Sequence, residues 1–167
     1  MCFDADIETT ASALLQACRE RGATLALAES CTGGLIAAAL TAIAGASDVV
    51  ERGFVTYSNA AKREMLGVAA STLIRHGAVS REVAAAMAAG ALARSHATLA
   101  LAVTGIAGPG GGSADKPVGL VCFAIAGKKR PLFSEARQFT DAGRAAIRLA
   151  SLRHGLALLS QALIGSS

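Results

Sequence analysis

The chain has 167 residues, 53% of them hydrophobic and only 17% charged, a balance that excludes disorder and requires a buried, alanine-padded core. Five Phe, one Tyr and no Trp leave too few rings for a base-stacking nucleic-acid surface. Sixteen Lys and Arg against twelve Asp and Glu give a net charge of +4, which suits a small anion as well as a polyanion.

The predicted elements alternate. Ile7, Ala11, Leu14, Leu15 and Cys18 follow helical spacing, so a helix is expected over 7–21, closed by Gly22. A short buried strand follows at 24–29, then an apolar helix at 33–44 and a β-rich strand at 53–57. Ala60 to Leu66 makes a short helix stopped at Gly67, and Ser71 to His76 another turn of helix. Ser80 is the expected cap of a longer helix reaching Arg94. Leu99-Ala-Leu-Ala-Val-Thr104 is wholly apolar and is expected at the centre of a sheet. Strands at 118–126 and 132–139 flank the only basic run, Lys128-Lys129-Arg130, which reads as a solvated hairpin turn. A last helix spans 142–163, with Leu149, Leu152, Leu156, Leu159 and Leu163 on one face.

This order predicts an α/β fold: one domain over 1–167, a three-layer α/β/α sandwich on a mixed, mostly parallel sheet of about five strands. The amino terminus is acidic where an export signal would be basic, and Gly, Pro, Ser and Thr interrupt the longest uncharged stretches. A cytoplasmic protein without a membrane span is expected. Cys2, Cys18, Cys31 and Cys122 form no CxxC pair, as befits reduced thiols rather than a disulfide framework or a zinc site. His76, His96 and His154 share no metal-ligand spacing and are read as non-catalytic.

Ligands of such sheets gather where strands end and helices begin, and three segments fit. In Glu29-Ser30-Cys31-Thr32-Gly33-Gly34, a serine hydroxyl at the bend would stand beside helix N-terminal amides able to hold an oxyanion or a phosphate. Ser30 or Thr32 as an ordinary helix cap is the plainer alternative, and Cys31 is a rival nucleophile. In Val55-Thr56-Tyr57-Ser58-Asn59-Ala60-Ala61-Lys62, the lysine falls in the first turn of a helix. There the helix field and partial burial would lower its pKa and let a neutral amine take a proton from a serine. A solvated Lys62-Arg63-Glu64 face is the alternative. In Thr104-Gly105-Ile106-Ala107-Gly108-Pro109-Gly110-Gly111-Gly112, a glycine-rich loop after an apolar strand could wrap amides around a phosphate. It is neither a P-loop nor a dinucleotide fingerprint, because no Gly-Lys-Ser/Thr follows and the chain leads into another strand.

Together the three segments, with His76-Gly-Ala-Val-Ser80 and Lys116-Pro-Val-Gly119, resemble the CinA C-terminal domain family over nearly the whole chain. Its enzymatic members are nicotinamide-nucleotide amidases. The resemblance implies a stand-alone, homo-oligomeric form of that domain acting in pyridine-nucleotide salvage. It would hydrolyse the carboxamide of nicotinamide mononucleotide, with no metal or cofactor. Carried onto this chain, the resemblance makes Ser30 the nucleophile, Lys62 its base and Tyr57 the group that orients or relays the proton. Backbone amides of Cys31, Thr32, Gly33 and Gly34 would hold the oxyanion. Thr104, Gly105, Ile106, Ala107, Gly108 and Gly110 would hold the nucleotide. One departure stands out: where relatives carry Gly-Asp-Arg, this chain reads Asp141-Ala142-Gly143-Arg144, displacing the acid. Arg144 and Arg148 remain one helical turn apart, and Arg144 is a candidate phosphate partner. A non-catalytic nucleotide-binding module and a nucleic-acid-binding role are the readings from other classes.

Overall fold

The computed structural model describes residues 3–140 and 143–164, so Cys2 and Asp141 lie outside the described residues. Helix α1 (Ala5–Arg21) leads into β1 (Leu25–Glu29), α2 (Leu35–Thr41), a single 3-10 turn (Ala46–Asp48) and β2 (Val50–Val55). Three helices follow, α3 (Asn59–Leu66), α4 (Ala70–His76) and α5 (Arg81–Ala93), then β3 (Leu99–Gly105). The hairpin β4 (Leu120–Gly127) and β5 (Arg130–Gln138) precedes α6 (Gly143–Ile164).

The strands form one mixed sheet in the order β2-β1-β3-β4-β5. β1 pairs in parallel with β2 and β3, while β4 is antiparallel to both neighbours. Four strands therefore run one way, and β3 is central, as its apolar sequence predicts. The C-terminal ends of β1, β2, β3 and β5 consequently share one edge, and α2, α3 and α6 begin there.

Strand alternation sorts the core by size. Leu25, Leu27, Leu99, Leu101, Val103, Val121, Phe123 and Ile125 face α1, α2 and α6. The opposite face is built from Ala26, Ala28, Ala100, Ala102, Cys122, Ala124 and Ala126, which let α3, α4 and the alanine-rich α5 sit close. A Cβ on Gly90 of α5 would lie 2.0 Å from the Leu66 carbonyl oxygen at the end of α3. Close approach of the two helices thus requires glycine there.

Several boundaries differ from expectation for identifiable reasons. α2 begins at Leu35 rather than Gly33 because Gly33 and Gly34 adopt φ of +63° and +91°, outside the α-helical region. It ends at Thr41, and Gly45 (φ +75°) turns the chain toward β2. β2 starts three residues early, since Val50 already pairs with Leu25, although its Glu51-Arg52 lacks the apolar signature of a buried strand. β4 starts at Leu120, after Gly119 at φ +93°. Lys128 and Lys129 form the hairpin turn, whereas Arg130 already belongs to β5 and donates to the Ala162 carbonyl near the end of α6. Among the described residues no helix is long and apolar enough to cross a membrane. Cys18, Cys31 and Cys122 are free, buried thiols. His154 packs edge-on against Phe123 and Phe139 and bonds Glu135, away from the three candidate segments.

Candidate active site

β1 delivers Ser30 to the shared strand edge, where the Ser30 amide donates to the Val103 carbonyl at 2.9 Å. α3 enters from the other side, capped by Ser58, whose Oγ accepts from the Ala61 amide at 3.0 Å. One residue further, Lys62 turns inward. It is a fully buried charged side chain, 1% exposed, and its Nζ lies 2.9 Å from Ser30 Oγ and 2.7 Å from the Thr56 carbonyl. Burial pulls the Lys62 pKa below its usual value of 10.5, against an opposing effect of Cys31. A neutral Nζ in this position gives one N–H to Thr56 and turns its lone pair to the serine hydroxyl. The solvated-face alternative for Lys62 is thereby excluded.

The turn after Ser30 is closed from within. The Ser30 carbonyl accepts from the Gly33 amide at 3.0 Å. The Glu29 carboxylate accepts from the amides of Gly34 (3.1 Å), Ile36 (3.1 Å) and Ala37 (2.8 Å). Gly33 and Gly34 therefore have no free amide for an oxyanion, and the N-terminus of α2 is already occupied by an internal anion. That corrects the expectation of four donors over Cys31 to Gly34. Among the described residues, the Cys31 and Thr32 amides donate to no protein oxygen; both lie against the Cys31 sulfur, a weak acceptor that an oxyanion would displace. The Cys31 thiol is pushed up to about 12 by burial, so it is a neutral small side chain and a poor rival to Ser30. Thr32 Oγ1 is buried without a partner and α2 has no side-chain cap bond, so neither Ser30 nor Thr32 is the ordinary helix cap; Thr56 Oγ1 is likewise buried without a partner.

Tyr57 behaves differently from the expectation of a proton relay. It is 60% exposed, and its hydroxyl accepts from Arg144 at 2.7 Å rather than meeting Ser30 or Lys62. Arg144 also donates to the Gly108 carbonyl at 2.8 Å, tying the start of α6 to the glycine-rich loop. Arg148, one turn on, donates to the Thr32 carbonyl at 2.7 Å. The loop divides into two parts. Thr104 Oγ1 is committed to the Ala78 carbonyl, Ile106 exchanges backbone bonds with Leu120 and Gly119, and Gly105 packs where a Cβ would lie 2.7 Å from Val121. These bonds and contacts hold the first part of the loop to its surroundings. Beyond them, the amides of Ala107, Gly108, Gly110, Gly111 and Gly112 donate to no protein oxygen among the described residues. A separate cleft of about 430 Å³, lined by Arg21, Thr98, Lys129 and Leu163, opens at the opposite edge of the sheet and shares no residue with this constellation.

A serine paired with a buried lysine beside two amides that no protein oxygen holds can perform acyl transfer, and comparison with known proteins places the chain in a family. The CinA C-terminal domain model matches residues 7–163. The chain belongs to the CinA C-terminal domain family. A curated relative, the nicotinamide-nucleotide amidohydrolase PncC of Enterobacter agglomerans, is 54% identical over 80% of this chain and 80% of its own length. A CinA-like protein of Synechococcus sp. (strain CC9902) is 45% identical over 99% of this chain but only 40% of its own. The chain thus spans less than half the length of the CinA-like relatives. Among solved structures, the competence/damage inducible protein CihA of Agrobacterium tumefaciens superposes with a TM-score of 0.94 at 54% identity, covering 98% of both chains.

Within this CinA-type fold, sequence reasoning missed two groups at the site. Glu29 entered only as a letter of the motif and Arg148 only as the second arginine of α6. The signal for Glu29 is an acid ending a buried strand just before a Gly-Gly turn, where the next helix lacks a capping side chain of its own. Arg148 contacts Thr32 across 116 residues of sequence, and no local pattern reveals such a bond.

Proposed function

We propose that the chain hydrolyses the carboxamide of nicotinamide mononucleotide to nicotinate mononucleotide and ammonia, with Ser30 as nucleophile and Lys62 as general base. The observation that carries the reading is the 2.9 Å approach of Lys62 Nζ to Ser30 Oγ in a buried setting that disfavours the ammonium form. The name of the Enterobacter relative supports the substrate.

Neutral Lys62 takes the Ser30 proton as Oγ bonds to the amide carbon, and the carbonyl oxygen becomes an oxyanion between the Cys31 and Thr32 amides. Collapse breaks the C–N bond, and the leaving nitrogen takes the proton from Lys62 and departs as ammonia. Water then attacks the acyl ester and gives a proton to Lys62. Ser30 recovers it as the acid leaves. General-base catalysis of this kind contributes about 10²–10⁴-fold in rate, and each oxyanion donor about 10²–10³-fold. In this reading the substrate phosphate meets Arg144 and the free amides of Gly108 and Gly110, while Tyr57 orients the guanidinium rather than carrying a proton. The N-terminus of α2 plays no part in holding phosphate, because Glu29 fills it.

Incubation of the purified chain with nicotinamide mononucleotide tests the reading: ammonia accumulates with wild type, and Ser30→Ala abolishes it while nucleotide binding persists. Binding without turnover in the wild type would instead make the chain a nucleotide-binding module.

A further inference from the structure

Glu29 is 2% exposed, and among the described residues it forms no ion pair. Its three acceptor bonds reach amides five, seven and eight residues ahead. The carboxylate therefore spans the whole Ser30–Gly33 turn and joins its far end back to the strand it leaves. α2 has only seven residues, Leu35–Thr41, and its cap position, Gly34, has no side chain. Without Glu29 the Gly34, Ile36 and Ala37 amides would lose their acceptor, and leaving buried donors unpaired is costly.

An ordinary cap sits at the helix end and stabilises only the helix. This one acts from the strand, next to the serine. The Ser30 carbonyl points into the turn toward the Gly33 amide. In a trans peptide the N–H opposes the C=O, so the Cys31 amide is turned outward. From the other side, Arg148 fixes the Thr32 carbonyl. The turn is thus gripped by a buried anion at one end and by a guanidinium from α6 at the other. Between these grips lie the Cys31 and Thr32 amides, which no protein oxygen among the described residues accepts and which the oxyanion needs.

We propose that Glu29 is a positioning residue: it holds the Ser30–Gly33 turn so that Ser30 Oγ faces Lys62 and the Cys31 and Thr32 amides stay aligned. The proposal rests on Ser30 being the nucleophile, as argued above. It assigns Glu29 no contact with substrate and no proton to carry. Glu29→Gln removes the match, because a carboxamide offers one acceptor oxygen and opposes the remaining amides with its own N–H groups. A displacement of about 1 Å in a reacting atom costs on the order of 10²-fold in rate.

The test compares wild type, Glu29→Gln and Glu29→Asp in three measurements: kcat and KM for ammonia release, affinity for nicotinate mononucleotide, and the rate at which a fluorophosphonate labels Ser30. The expected result for Glu29→Gln is a kcat lower by about 10²-fold, product affinity within about threefold of wild type, and Ser30 labelling slowed in parallel with kcat. Glu29→Asp, shorter by one methylene but still charged, falls between the two and carries the same test if Gln prevents folding. Wild-type kcat and labelling in a folded Glu29 variant would overturn the proposal. So would losses of kcat and product affinity in equal measure, which mark general destabilisation. If the wild type releases no ammonia, the substrate reading fails, and the labelling rates alone then decide the role of Glu29.

Discussion

At the residue scale the proposed chemistry depends on one buried amine. Lys62 is useful as a base only when unprotonated, and burial favours that form by lowering its pKa. The sign follows: kcat/KM rises with pH as Lys62 loses its proton, through a midpoint below 10.5, and then levels off. Lys62→Arg keeps the charge at every pH, so its activity should fall by about 10²–10⁴-fold with no rise on the alkaline side. A pH–rate profile of both proteins checks this, and an unchanged profile in the arginine variant would remove Lys62 from the role. Ser30 and Lys62 could be singled out only through the resemblance carried by three motifs together, since each segment alone also read as a helix cap or a solvated face. Their 2.9 Å approach is what the structure adds. The partner of Tyr57 was not legible, since Arg144 lies 87 residues away in sequence and its side chain crosses from α6 to reach the phenol.

At the scale of elements, alternation of apolar and small residues made the layers readable, whereas their ends depended on backbone conformations that side-chain patterns do not encode. Gly33 and Gly34 look like the first turn of α2 in sequence, yet their left-handed φ values make them the turn that presents Ser30. β2 was read short because an edge strand with a solvated side tolerates Glu51-Arg52. Packing makes its own prediction on the alanine face. Gly90→Ala places a methyl 2.0 Å from the Leu66 carbonyl oxygen and must push α3 and α5 apart. α3 carries Lys62, so the variant should lose about 1–3 kcal/mol of stability and some activity with it. Denaturant unfolding measures the first effect; an unchanged midpoint would contradict the close helix contact.

At the scale of the whole molecule, the sheet gathers the site from distant parts of the chain. β1 brings Ser30, α3 brings Lys62, the segment after β3 brings the free amides, and α6 closes the edge with Arg144 and Arg148. The mild positive balance acquires a more definite meaning against that plan. Arg19, Arg52, Arg137 and Arg153 pair with Asp48, Glu51, Glu135 and the Asp4–Asp6 pair, so these four cations are already matched by carboxylates. Electrophoretic mobility of duplex and single-stranded DNA should therefore stay unchanged on adding the protein at about 0.15 M salt, where a phosphate-tracking surface would still bind. A salt-sensitive shift would reopen a nucleic-acid role.

The central claim is that acyl transfer passes through Ser30, and its most direct test is to trap the intermediate. Acid quenching during turnover of nicotinamide mononucleotide, followed by peptide mass spectrometry, should find the nicotinoyl nucleotide esterified to the peptide containing Ser30. Ser30→Ala should give neither adduct nor ammonia. An adduct carried by Cys31, or undiminished ammonia release from Ser30→Ala, would contradict the account.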